Sequence, residues 1–308
     1  MTLTIREHVP LAPLTTFEIG GAARYFVEVR GEDELKEALA WAHTMQQEFA
    51  ILGGGSNVLV ADEGFDGLVI KIASDEFSFD GMTLVTDAGC NLLTLVRAAS
   101  QNNLGFWEKL SGIPGTLGGA VRGNAGAFGT EIKDVVTQVQ AFNTQTGESK
   151  IFLNLSMDFS YRHSYFKDHP EWVIMRVHID LARTTREESE RLIAETIAER
   201  EKRHLQNVRA AGSYFMNPVA PQDVVDMFEK EKNVKAREGR VPAGWLNEKA
   251  GMKGLQIGGA QASPQHPNYL VNASGSATAV DVRQLAEQIK AKVKSQFGVS
   301  LHEEAAIW

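Results

Sequence analysis

The sequence predicts an α+β protein of several lobes, and three observations carry that reading. Runs rich in aromatic and β-branched residues alternate with runs of helical period along the whole chain. The 308 residues, with 43% hydrophobic and 23% charged, have an ordinary globular composition and are enough for two or three domains. Glycine is concentrated in two places beside strand-like runs, and no repeat or low-complexity tract breaks the pattern.

The elements follow in order. Arg24 to Val29 has strand composition. Asp33 to Phe49 carries Leu35, Leu39, Ala42 and Met45 at helical spacing. Phe49 to Leu52 is a short strand running into Gly53-Gly54-Gly55-Ser56-Asn57, and Val58 to Val60 and Leu68 to Ile72 are further strands. The middle of the chain is rich in glycine and β-branched residues, with strands at Val135–Asn143, Lys150–Leu153 and Val173–Leu181. Thr185 to His204 is a helix: Thr185 and Glu188 have capping-box spacing, acids open it and Arg200, Lys202 and Arg203 close it. Asp223–Lys232 and Trp245–Lys249 are short helices. Val280–Phe297 is a long amphipathic helix, with Thr278 and Asp281 as its start signal and Gly298 as its stop. A strand from Val299 through Leu301 ends the chain. Domain edges are expected near 73 and 204.

Charge and cysteine narrow the function. Thirty-one Lys and Arg against 39 Asp and Glu give a net charge of −8, the wrong sign for a protein that neutralises nucleic-acid phosphates. The single cysteine, Cys90, excludes an intrachain disulfide and any multi-cysteine zinc site, and the eight histidines show no metal spacing. Cys90 reads as a small buried hydrophobe. No run approaches the length of a membrane span and the first ten residues carry no apolar signal core. A cytoplasmic monomer without metal, membrane or nucleic-acid partners is expected.

Consecutive glycines let successive N–H groups converge into an anion nest. Yet Gly53 to Asn57 fails the G-x-G-x-x-G fingerprint, because Val58 stands at the third glycine and a strand follows instead of a helix. No P-loop pattern occurs. The second cluster, Gly112, Gly115, Gly118, Gly119, Gly123, Gly126 and Gly129, occupies 18 positions. Each glycine costs roughly 0.5–1 kcal/mol relative to alanine in a regular element. Such density suits either a set of tight turns or a backbone lying flat against a large ligand. Two glycine loops of this kind resemble the two-lobed FAD-binding domain of the vanillyl-alcohol-oxidase type.

Several blocks taken together are more specific. They are LTTFEIGGA from Leu14, LGGGSNVLV from Leu52, GIPGTLGGAVRGNAGAFG from Gly112, YRHSYFK from Tyr161, GSYFMNP from Gly212, Ala243-Gly244-Trp245-Leu246 with Gly254, and Glu304 near the end. In this order the chain resembles the UDP-N-acetylenolpyruvoylglucosamine reductase family, also called UDP-N-acetylmuramate dehydrogenase. Only 51 positions separate Arg162 from Ser213, as in the short form that lacks an inserted tyrosine-bearing loop.

The resemblance implies non-covalent FAD, NADPH as hydride donor, and reduction of the enolpyruvyl ether of UDP-N-acetylglucosamine to the lactyl ether during peptidoglycan precursor synthesis. It implies FAD lobes at 1–73 and 74–203 and a substrate-binding α+β domain at 204–308. Cofactor contacts are then expected from Gly53, Gly54, Gly55, Ser56 and Asn57 and from Gly112, Gly115, Thr116, Gly119, Asn124 and Gly126. Arg162 would face the substrate carboxylate, Ser213 would protonate the substrate carbon, and Glu304, with Glu303 beside it as competitor, would stabilise developing charge. Asn217 and Arg240 would contact the UDP-sugar tail, Arg240 standing where the family usually has lysine. The glycine loops alone also fit another flavin oxidoreductase on the same fold, or a non-catalytic flavin- or nucleotide-binding protein.

Overall fold

The computed structural model describes residues 3–203 and 207–308. The chain divides into two compact units. Unit 1 comprises Met1–Val9, Ala23–Gly54 and Asp66–Lys202; unit 2 comprises Pro10–Ala22, Gly55–Phe65 and Arg203–Trp308.

Unit 1 contains two sheets. The first has the strand order Arg6–Pro10, Ala22–Val29, Phe65–Ile72, Phe49–Leu52, and its last two strands run parallel, Phe49 beside Leu68 and Leu52 beside Lys71. The helix Glu32–Thr44 connects two of them, burying Leu35, Ala38 and Ala42. It stops five residues before the expected Phe49. Gln46 takes a left-handed φ of +53° and Gln47 N–H bonds back to the Ala42 carbonyl, so the chain turns without a glycine and Met45 stays exposed.

The second sheet is antiparallel, in the order Ser149–Leu153, Val136–Asn143, Trp172–Asp180, Thr83–Asp87, Phe77–Asp80. Its central strand buries Trp172, Val173, Ile174, Met175, Val177 and Ile179. The helix Leu92–Gln101 buries Leu92, Leu95, Val96 and Ala99 and packs with the strand Leu104–Gly105 and the helix Arg186–Lys202, started by the Asn91 side chain accepting Thr94 N–H at 3.1 Å. Residue 73, near which a domain edge is expected, lies within the Asp66–Lys202 stretch of unit 1, between the Phe65–Ile72 strand of the first sheet and the Phe77–Asp80 strand of the second. The helix Arg186–Lys202 closes the unit; Thr185 Oγ accepts Glu188 N–H at 3.2 Å, as the capping signal requires. His204, expected as the end of that helix and the start of the C-terminal domain, lies outside the described residues, as do Met1 and Thr2.

Unit 2 gathers three separate stretches of chain. Thr16 N–H bonds Gly55 carbonyl (3.0 Å), Gly21 N–H bonds Ala61 carbonyl (2.8 Å) and Ala61 N–H bonds Trp308 carbonyl (2.9 Å). These bonds draw Pro10–Ala22 and Gly55–Phe65 out of the linear order of the sequence. A three-stranded antiparallel sheet, Gln256–Ile257, Ala260–Ala262 and Leu270–Asn272, packs with the helix Ala279–Phe297. That helix buries Val282, Leu285, Ala286, Ile289 and Val293. Its start is over-determined: Thr278 and Asp281 form a capping box, and Asp62 accepts Ala279 and Val280 N–H at 2.8 and 3.1 Å. Gln222–Lys232 and Ala243–Lys249 complete the unit's main helices. The expected terminal strand is displaced. Val299 and Leu301 are buried, but the regular strand is Ala306–Ile307, parallel to Val58–Leu59. Apolar β-branched character there reports burial and not pairing.

Candidate functional site

The site residues expected from the sequence fall into two groups, one in each unit.

In unit 1 the two glycine loops meet backbone to backbone. A Cβ on Gly54 would lie 2.6 Å from Gly115 Cα and 2.9 Å from Thr116 N, so only glycine permits this approach. The second loop contains a short helix that the sequence reading did not anticipate, Leu117–Arg122. Leu117, Ala120 and Val121 give it a buried stripe, and Thr116 caps it. Gly119 lies within it and differs from Gly54. It has no left-handed φ, and an added Cβ would find only Thr116 Oγ, at 3.6 Å. Neither backbone nor packing requires glycine there.

Gly119 lines a cavity with Gly53, Thr116 and Gly118, and with Ile51, Ile72, Trp172, Val173 and Ile174; Arg122 is the charged residue among the lining groups. Apolar walls suit a flat aromatic ring, while glycine backbone and a guanidinium suit phosphate. The side-chain-free face of Gly119 leaves room that a Cβ would fill. These residues fit FAD.

Beyond the helix, the loop 122–126 is laced to the turn 160–164. Asn124, fully buried, gives its two amide donors to Ser160 carbonyl (2.8 Å) and Glu131 Oε2 (3.3 Å) and accepts Lys133 N–H (3.2 Å). Ser164 Oγ donates to Arg122 carbonyl at 2.7 Å. Arg162 Nη2 donates to Gly126 carbonyl at 2.9 Å, and Lys167 Nζ to Arg162 carbonyl at 3.1 Å. Asn124, expected beside the cofactor, therefore has its side chain committed to the protein as a brace for this turn. Ser160 and His163 exchange both backbone hydrogen bonds at 3.2 Å, and Arg162 sits at the turn with φ +56°. A bulky residue holds that region only when its surroundings dictate it, and such strain concentrates at functional positions.

In unit 2, Ser213 leads a strand-like stretch that pairs with the C-terminus. Phe215 and Glu303 form an antiparallel bridge, Glu304 N–H donates to Tyr214 carbonyl (2.8 Å), and Met216 N–H donates to His302 carbonyl (2.9 Å). Ser213 and Glu304 thus lie on neighbouring paired segments. Glu303 has a different destination: its carboxylate accepts from Lys290 Nζ at 3.0 Å, on the Ala279–Phe297 helix. Burial, then the Glu303 carboxylate, pushes the Tyr214 phenol well above its ordinary pKa. Asn57 grips the same terminal segment, its Nδ2 donating to Glu304 carbonyl (3.2 Å) and its carbonyl accepting Ala306 N–H (3.0 Å). Gly55, two residues before it, adopts φ +63°, and an added Cβ would collide with the Leu14 carbonyl. Asn217 and Arg240 are also brought together. Arg240 Nη1 donates to Asn217 carbonyl at 3.1 Å, and Asn217 Oδ1 accepts Ala243 N–H at 3.0 Å, capping the helix Ala243–Lys249.

Three participants carry no signal in the sequence. Arg122 reads as an ordinary helix-end cation, and Lys290 as one of several lysines on an exposed helix face. Asn268 sits in the loop before Leu270–Asn272 and bonds the Ser213 segment directly. Among the described residues, no group of three or more His, Cys, Asp or Glu is placed to hold a metal ion, and no helix is long and apolar enough to cross a membrane.

Glycine loops that meet around a mostly apolar cavity define an FAD-binding protein, and the model of the FAD binding domain family matches residues 23–151. The model of the C-terminal domain of UDP-N-acetylenolpyruvoylglucosamine reductase matches residues 203–308. The reductase of Solibacter usitatus is 34% identical over 98% of this chain and 96% of its own. That of Caldanaerobacter subterraneus is 36% identical over 97% of this chain and 91% of its own. The crystal structure of UDP-N-acetylenolpyruvylglucosamine reductase from Thermus caldophilus, 31% identical, covers 99% of both chains with a TM-score of 0.79. The chain belongs to the UDP-N-acetylenolpyruvoylglucosamine reductase family.

Proposed function

We propose that this chain performs the reaction of its family, the FAD-dependent reduction of UDP-N-acetylenolpyruvoylglucosamine to UDP-N-acetylmuramate in peptidoglycan precursor synthesis. It works as a cytoplasmic monomer with NADPH as the hydride donor. Trp172–Asp180 runs through Ala182–Arg183 straight into the Arg186–Lys202 helix, which supports the short form of the family. The lobes at 1–73 and 74–203 hold the cofactor, apart from Pro10–Ala22 and Gly55–Phe65, which fold with the substrate-holding 204–308.

When bound, FAD supplies two-electron hydride chemistry; the protein supplies position and field. Gly53, Thr116, Gly118 and Gly119, with Arg122, line its cavity, and Gly54, Gly55, Ser56, Gly112, Gly115 and Gly126 lie beside them on the same two loops. Arg162 binds the carboxylate of the enolpyruvyl group. A guanidinium stays charged and can meet two oxygens at once. The bond to Gly126 carbonyl and the strained turn hold it against rotation, so the field is already in place when charge builds on that carboxylate. Ser213 delivers a proton to the substrate carbon beside the carboxylate. Glu304 stabilises the accumulating negative charge. Asn217 and Arg240 receive the UDP-sugar tail.

The single observation that carries this assignment is the pairing in unit 2. It sets Ser213 and Glu304 on adjacent segments while Lys290 holds Glu303 elsewhere. Separating the half-reactions by stopped-flow tests it. Ser213→Ala should bind FAD and be bleached by NADPH at a rate near that of the parent. Its recolouring by the enolpyruvyl substrate should slow by about 10²–10⁴-fold, the usual worth of a general acid. Equal slowing of both halves would reduce Ser213 to a shaping residue.

A further inference from the structure

We infer that Asn268 is a positioning residue that fixes Ser213 and Glu304 relative to each other. This rests on the roles proposed for those two residues.

Asn268 is 2% exposed and bonds the Ser213 segment at three points. Its carbonyl accepts Tyr214 N–H at 2.7 Å, its Oδ1 accepts Phe215 N–H at 3.1 Å, and its Nδ2 donates to Phe215 carbonyl at 2.8 Å. One side-chain amide thus serves both backbone groups of Phe215, the work a neighbouring strand would otherwise do. The opposite edge of the segment is bonded to the terminus through Glu304 N–H and His302 carbonyl. Every backbone polar group from Tyr214 N–H to Met216 N–H is consequently engaged, on one side by Asn268 and on the other by the Glu304 segment.

Asn268 is itself anchored. Asn247, fully buried on the helix Ala243–Lys249, donates from Nδ2 to the Pro267 carbonyl at 3.1 Å. Ser263 Oγ accepts His266 N–H at 3.2 Å, and Tyr269 N–H bonds His266 carbonyl at 2.8 Å, closing the loop that carries Asn268. A rigid path runs from a core helix through Asn268 to the residue after Ser213, and across the bridge to Glu304. Losing the amide strands two buried backbone groups, which a side chain of similar shape cannot satisfy. Only asparagine offers a donor and an acceptor at this length. Aspartate keeps the acceptor and regains a donor when protonated.

The test compares Asn268→Leu and Asn268→Asp, each alone and combined with Ser213→Ala. Holo-Asn268→Leu should be bleached by NADPH within about twofold of the parent and recoloured by substrate roughly 10–10²-fold more slowly. On top of Ser213→Ala, the added loss should be under about threefold, because the donor it positions is already gone. In the apoprotein, the Phe215 amide should exchange hydrogen at least tenfold faster. Should Asn268→Leu not fold, Asn268→Asp carries the test: its recolouring should be slow at pH 8 and recover toward pH 6 as the buried carboxyl takes up a proton. Normal recolouring of Asn268→Leu, normal recolouring of Asn268→Asp at pH 8, equal loss in both half-reactions, or full additivity with Ser213→Ala would overturn the inference. If Ser213→Ala alone recoloured normally, the proton-donor reading would fall first and this positioning role with it. A slow Ser213→Ala beside a normal Asn268→Leu would remove the positioning role alone.

Discussion

Gly119 and Gly54 sit in the two loops around the same cavity and should respond to alanine with opposite signs. At Gly119 the new Cβ meets only Thr116 Oγ at 3.6 Å, an ordinary contact, within the helix Leu117–Arg122. Alanine is up to about 1 kcal/mol better than glycine in a helix, so the apoprotein should melt roughly 1–3 °C higher. The same methyl enters cavity space. Overfilling a fitted site costs about 1–3 kcal/mol, so FAD should bind roughly 5- to 150-fold more weakly. At Gly54 the Cβ would press on backbone, 2.6 Å from Gly115 Cα, and the apoprotein itself should melt lower. Thermal melts of both apoproteins and fluorescence titration with FAD separate the two effects. If Gly119→Ala bound FAD within twofold of the parent, the open face of Gly119 would not be facing the cofactor. If it melted lower, the helix position of Gly119 would be misjudged.

The C-terminal pair gives a second contrast. Glu304→Ala should slow recolouring by substrate by orders of magnitude, whereas Glu303→Ala, which loses the ion pair to Lys290, should be mild in that step; the reverse ranking in stopped-flow traces would exchange their roles. Asp281 accepts Gly259 and Thr278 N–H, and these bonds hold its carboxyl below the ordinary aspartate value. A depressed folded value means its stabilisation is complete above the unfolded carboxylate range near 4 and is lost as the pH falls through the folded value. The stability of Asp281→Asn should therefore approach that of the parent in acid and fall short of it at pH 7; a gap between the two that does not change with pH would deny the linkage.

The elements with complete local signals were legible. Thr278, Asp281 and Gly298 bracket the terminal helix to within one residue, because capping and a left-handed stop are local chemistry. The Leu92–Gln101 helix has a thinner signal, Asn91 as cap before Leu92, Leu95, Val96 and Ala99 but no capping box and no glycine stop, and it stands outside the expected elements. The Leu117–Arg122 helix was hidden by Gly118 and Gly119, which oppose helix formation on propensity alone. Long-range pairing was not legible at all. Nothing local says that Pro10–Ala22 and Gly55–Phe65 join the C-terminal third, or that Asn57 grips Glu304. The motif residues were visible as types, but the brace at Asn124 and the clamp at Asn268 are defined by partners more than thirty positions away.

Anaerobic titration of the purified holoprotein tests the central claim most directly. NADPH should bleach the bound flavin, and stoichiometric UDP-N-acetylenolpyruvoylglucosamine should restore the colour and yield UDP-N-acetylmuramate. A flavin that NADPH does not bleach, or a bleached protein that the enolpyruvyl nucleotide leaves colourless, would contradict it.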